Sequence, residues 1–170
     1  MTRRILTPLL CLAGAFATGC SSAPDVSPHG QELFAPTELH IQPVFTKVID
    51  WTGDNKADGV EVLVELRDQF GDTTKGAGTF VFELFSYQPN AADPRGPRVV
   101  NPWQAPVDTV ETQKQRWGRT TRCYAFRLSF PNPSERANYV LSATFAPVGG
   151  TRLFDQIVLA PMNASDDKSK

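Results

Sequence analysis

The stretch Gly59 to Asp68, GVEVLVELRD, places Val60, Val62, Val64 and Leu66 at alternate positions, with Glu61, Glu65 and Arg67 between them. Successive side chains of a pleated strand point to opposite faces, so this spacing predicts a strand with one face in a core and the other in water. The same period of two returns on the C-terminal side. Thr79 to Tyr87 (TFVFELFSY) sets Phe80, Phe82 and Leu84 on one face and Val81, Phe85 and Tyr87 on the other, the pattern of a strand that is covered on both sides or lines an interface. Thr121 to Phe130 turns Tyr124, Phe126, Leu128 and Phe130 inward and Cys123 and Arg127 outward. Asn138 to Ala146 alternates through Tyr139, Leu141, Ala143 and Phe145, and Arg152 to Leu159 closes the series.

Breakers separate these runs. Asp68-Gln69-Phe70-Gly71-Asp72 and Val148-Gly149-Gly150-Thr151 carry the residues of tight turns, and Pro131-Asn132-Pro133-Ser134 interrupts the chain. Towards the N-terminus, Leu39, Ile41 and Phe45 alternate, while Pro43 removes a ladder donor and argues for an edge strand or a bulge. Gln88 to Ala105 reads as a long proline-rich loop and Val107 to Thr112 as a short strand. About seven strands with no useful amphipathic helix predict an all-β fold, an antiparallel β-sandwich over residues 37–160. The strand rhythm is similar to that of immunoglobulin-like and transthyretin-like sandwiches. Tyr139, just before a late strand, resembles the tyrosine of a tyrosine corner, although the Cys and Trp landmarks of antibody domains are missing. Such a likeness carries fold rather than activity.

At the other end stands MTRRILTPLLCLAGAFATGC. Arg3 and Arg4 precede an apolar segment, Ile5 to Phe16, and small residues lead to Cys20, the layout of a secretory leader. It resembles the bacterial lipoprotein signal, in which the Cys thiol is acylated and the chain is cut before it. The resemblance implies a leader over 1–19, lipidation of Cys20, and attachment to a membrane of the cell envelope. Ser21 after Cys20 points to the periplasmic face of the outer membrane under the sorting rule of enteric bacteria. A spanning helix needs about 20 apolar residues, and Thr7 and Pro8 break this shorter segment; an ordinary secretory cut uses the same small residues. Residues 20–36, rich in Ser, Pro and Ala, read as a tether, and 161–170 as a polar tail.

Composition bounds the function. The chain of 170 residues is 41% hydrophobic and 21% charged, with 17 Lys and Arg against 18 Asp and Glu. These are globular values, and a near-neutral balance gives no electrostatic case for nucleic acid. With Cys11 in the leader and Cys20 acylated, Cys123 has no disulfide partner and reads as a small buried hydrophobe.

Two groups of residues stand out as candidate sites. Asp54, Asp58, Gly59 and Glu65 match the first, fifth, sixth and twelfth places of a calcium loop, with Lys56 against it at the third; the competing reading is an Asx-rich turn leading into a strand. No cofactor is otherwise implied. The second group is basic and aromatic: Arg95, Arg98 and Trp103, then Lys114, Arg116, Trp117, Arg119 and Arg122. Exposed Trp with flanking Arg stacks on sugars and holds anionic glycans or headgroups; the competing reading has the Trp side chains closing the sandwich. There is no nucleophile elbow, histidine cluster or phosphate loop. The sequence therefore leads to a non-catalytic, lipid-anchored binding or structural module, whose alternatives are an accessory subunit pairing through the strand Thr79 to Tyr87 and a glycan or envelope-polymer binder using Trp103, Trp117, Arg116 and Arg119.

Overall fold

The computed structural model describes residues 32–130, 134 and 137–162. The leader, Cys20, most of the expected tether and residues 163–170 lie outside these. No helix among the described residues is long and apolar enough to cross a membrane.

In chain order the elements are β1 (Glu38–Ile41), β2 (Lys47–Ile49), β3 (Gly59–Arg67), β4 (Thr73–Thr74), β5 (Gly78–Tyr87), β6 (Arg95–Arg98), β7 (Trp103–Pro106), α1 (Val110–Arg116), β8 (Trp117–Gly118), β9 (Cys123–Ser129), β10 (Tyr139–Pro147) and β11 (Leu153–Leu159). They form two antiparallel sheets. One runs β1-β3-β9-β8, with β2 and β4 also on β3; the other runs β11-β10-β5-β6, with β7 also on β5. Because β1 and β2 take consecutive parts of one edge of β3, and β6 and β7 of one edge of β5, the sheets amount to seven working strands with two short additions. The fold is the expected all-β sandwich.

The alternating positions of β3, β5, β9 and β10 meet between the sheets. Phe80 sits at the centre, its ring 4.6 Å from that of Phe145, 5.1 Å from Phe126 and 5.2 Å from Tyr124, and Phe82 lies 4.9 Å from Phe126. All of these are buried, and each such ring contributes on the order of 1.5–3 kcal/mol through its removal from water. Gly59 opens β3 where there is no room for a side chain: a Cβ there would lie 2.2 Å from the Leu128 carbonyl oxygen and 2.6 Å from the Trp51 ring.

Several expectations need correction. The first run is an edge strand broken by a bulge at residues 42–46, as Pro43 suggested, but Phe45 lands on the bulge and is exposed rather than in the core. The expected long loop contains β6 and β7; both lie on the sheet edge, where Pro97 and Pro106 withhold no donor that the ladder needs. Residues 110–116 are helical, not extended, because Thr109 and Thr112 cap the helix reciprocally at 3.2 Å. The aromatic strand β5 is no edge: it pairs with β10 on one side and with β6 and β7 on the other. Its outward Phe85 lies under the guanidinium groups of Arg95 and Arg98, each 5.7 Å from the ring centre. The last residues before β1 are tied to the sandwich, since Thr37 N–H donates to Arg67 O and Thr74 Oγ1 to Phe34 O. At the other end Met162 packs on the core.

Two side-chain ties close the sandwich. The backbone N–H of Ser134 donates to the Tyr139 hydroxyl at 2.7 Å, an upstream link of the tyrosine-corner kind. Across the seam between β1 and β11, Ile41 N–H donates to Asp155 Oδ2 at 2.8 Å.

Candidate functional site

The connection between β4 and β5 (residues 75–77), the segment from Val107 into α1, and Trp117 and Arg119 after the helix enclose an open groove of about 660 Å³. Its floor is a buried polar network. The Tyr124 hydroxyl donates to Gln113 Oε1 at 2.8 Å and accepts from Gly76 N–H at 3.2 Å, while Gln113 Nε2 donates to the carbonyls of Gly76 at 2.7 Å and Val107 at 2.6 Å. Burial pushes the Tyr124 hydroxyl pKa up, against the hydrogen bonds of Gly76 and Gln113, so the group stays protonated and donating. These bonds fasten α1, which has no buried side chain of its own, to both sheets.

Trp117 forms one wall, edge-on to Tyr124 with ring centres 5.0 Å apart. The Lys75 ammonium lies 4.8 Å from the centre of the Trp117 ring, and Arg119, Lys114 and Asp108 line the same groove. Three cations and an indole face against a single lining carboxylate favour an anionic ligand with a flat apolar surface.

The basic and aromatic group read from the sequence is thus divided. Trp117 and Arg119 share the groove. Arg116, one residue away, instead covers the sandwich edge, its guanidinium 5.5 Å from the centre of the Phe126 ring. Trp103 is on the opposite sheet, packs on the core and donates its indole N–H to Ser129 O at 3.2 Å. Trp117 pairs with Tyr124 on β9 and Trp103 reaches Ser129, a separation of about 16 Å at ~3.3 Å per residue along the strand. Trp103 and Arg116 therefore close the sandwich rather than form a surface with Trp117. Lys75 had no sequence signal, because only the fold brings it over Trp117.

The calcium-loop residues do not converge. The Asp50 carboxylate accepts from the backbone of Thr52, Gly53 and Asn55 and from the Thr52 hydroxyl, and Asp58 Oδ2 accepts from the N–H groups of Trp51 and Thr52. Asp54 accepts from Lys56 N–H. Asp50 experiences a raising effect from burial that the bonds from Gly53, Asn55 and Thr52 outweigh, so its pKa is lowered. Gly53 and Asn55 adopt left-handed φ values of 76° and 63°, the conformation such turns require. Glu65 lies near the far end of β3, about 23 Å from Asp58 at ~3.3 Å per residue. The stretch is therefore the Asx-rich turn, and among the described residues no group of three or more His, Cys, Asp or Glu could hold a metal.

Glu65 has a different setting. It accepts from Arg67 Nε at 3.0 Å, from the Thr73 hydroxyl at 2.7 Å and from the Gln42 amide. Burial works to raise its pKa, but Arg67, Thr73 and Gln42 outweigh this and hold the carboxyl below the usual range. The register sets His40 beside Glu65 and Cys123 on its other side, on the outward face. His40 bonds to Glu38 at 2.9 Å, and the Cys123 thiol is pushed up by burial, with Glu65 adding to the effect. A thiol so placed is a poor nucleophile.

No family model matches this chain, and neither a curated protein nor a solved structure does, so its reading rests on its own residues.

Proposed function

We propose that the chain is a lipid-anchored module of the bacterial envelope, held to the membrane through Cys20, whose groove beside Trp117 binds an anionic glycan or envelope polymer without catalysis. The observation that carries the binding reading is that Lys75, Lys114 and Arg119 line one groove with Trp117, the Lys75 ammonium lying over its ring. A pyranose face stacks on the indole while carboxylate or phosphate groups meet the cations. The leader and Ser21 favour the periplasmic face of the outer membrane. The non-catalytic reading is supported by the intervening Glu65, which keeps His40 and Cys123 from one another, and by the raised thiol pKa.

An immunoglobulin-like topology is supported by strand order. Labelled in that manner, β1/β2, β3, β9 and β8 take places A, B, E and D, and β11, β10, β5 and β6/β7 take G, F, C and C′. The Tyr139 tie falls at the start of F, where a tyrosine corner belongs.

The test is binding to purified acidic envelope polysaccharide. Trp117→Ala and Arg119→Ala are expected to abolish it with the fold intact, whereas Trp103→Ala lowers stability by about 3–5 kcal/mol if its ring packs as a core residue does. Absence of binding by the wild-type chain would sink the groove reading. Separately, Cys20→Ala is expected to remove fatty-acid labelling; an unlabelled wild-type chain that begins elsewhere than Cys20 would sink the anchor. A second reading, an accessory subunit, is favoured by the outward face of β11, where Phe154 and Val158 are exposed.

A further inference from the structure

The pole of the sandwich at which Glu32 joins it carries three exposed apolar side chains brought together from two segments. Phe34 and Phe70 are 61% and 63% exposed, Leu33 is 45% exposed, and the two rings stand 6.2 Å apart. Isolated surface hydrophobes are ordinary, but a contiguous aromatic group is a contact surface by default. These side chains are also held in place. Gln69 Nε2 donates to Leu33 O at 3.2 Å and Thr74 Oγ1 to Phe34 O at 2.9 Å. The buried Asp68 carboxylate accepts from the N–H groups of Phe70 and Asp72 at 2.9 and 3.1 Å, and Gly71 takes a left-handed φ of 81° to complete the turn. The loops thus hold both rings out into solvent on a fixed frame. A cation stands at the same end: Arg122, on an exposed turn, donates to Thr73 O at 3.1 Å, next to the Thr74 that holds Phe34.

We infer that Leu33, Phe34 and Phe70 seat this pole on the lipid bilayer, the rings at headgroup depth and Arg122 against anionic headgroups. Aromatic rings with basic neighbours are the composition of a membrane interface. The position of the patch selects the bilayer over other occupants. The chain leaves the sandwich directly beside it, and the residues between Glu32 and Cys20 reach at most about 40 Å when fully extended at ~3.3–3.6 Å per residue. This pole is the one that an anchor at Cys20 draws towards the membrane. The inference rests on the anchoring proposed above and adds to it a second, non-covalent contact.

The test uses the acylated chain purified in detergent and reconstituted into vesicles of phosphatidylcholine and phosphatidylglycerol with brominated acyl chains. Phe34→Trp and Phe70→Trp are made separately, and the emission of the native tryptophans is subtracted. Melting curves matching wild type establish that each variant folds, and the two positions serve as independent reporters. Flotation with the vesicles reads the anchor; quenching of the added indole reads the seating. The expected result is flotation together with a blue shift and severalfold quenching at both positions. Flotation with an unquenched, water-like indole at both positions would overturn the seating and leave the anchor standing. A blue shift without quenching means that a second copy or the chain's own N-terminal segment covers the patch, and overturns it too. Chain that fails to float overturns the anchor and the seating together.

Discussion

The Tyr124 hydroxyl donates to the Gln113 side-chain oxygen at 2.8 Å, a bond that joins β9 to α1 beneath the groove. Removing that hydroxyl leaves the part-buried Gln113 oxygen and the buried Gly76 N–H without their partner. Tyr124→Phe is expected to lower stability by about 1–3 kcal/mol, the usual cost of unsatisfied buried polar groups. Denaturant titration measures it, and a change within experimental error would mean that α1 is held by other contacts.

Glu65 predicts a direction for acid sensitivity. Its pKa is lower folded than unfolded, so its stabilising contribution is complete above the ordinary glutamate value of ~4.3 and is lost as the pH falls through the folded value. Wild-type stability should therefore drop in that acid range more steeply than that of Glu65→Gln. Parallel pH profiles for the two proteins would exclude a stabilising role for the charge.

Gly59 has no room for a methyl group, being bounded by the Leu128 backbone and the Trp51 ring. Forcing one in requires β3 and β9 to part. Gly59→Ala is expected to cost about 1–3 kcal/mol, as overpacked positions do, with the thermal midpoint as readout.

The Asp50–Asp58 turn satisfies its carboxylates with backbone N–H groups, leaving calcium little to gain. A specific site would add about 2.7 kcal/mol at a hundredfold excess over its Kd. Melting with millimolar calcium and with chelator should give the same midpoint; a rise with calcium would restore the metal reading.

How far the sequence could be read followed from which side chains face the core. β3, β5, β9 and β10 were legible because burial on one face imposes a period of two. Helix α1 left no such imprint, since none of its side chains is buried and its cap uses Thr112 where Glu or Gln is the familiar signal. β6 and β7 were hidden by prolines that an edge tolerates. Of the groove, Trp117 and Arg119 were visible as a local cluster, but Lys75 lies far away in the chain, and Trp103 could be separated from Trp117 only once each was assigned to a sheet. The Asp and Asn residues of 50–58 served turn and metal readings alike until their hydrogen-bond partners were known.

The bond from Ile41 N–H to Asp155 has a consequence for how the protein behaves in a crowd of its own kind. β1 and β11 are the outermost strands of their sheets, and a backbone donor left bare on such a strand is a template for copying, the first step towards fibrils and swapped dimers. Asp155 occupies one of those donors with a carboxylate that has no complementary ladder to offer a newcomer. An added strand would have to displace it from the Ile41 N–H, although Asp155 keeps its bond from the Gln156 N–H. A single acidic side chain thus acts as a gatekeeper against self-templating.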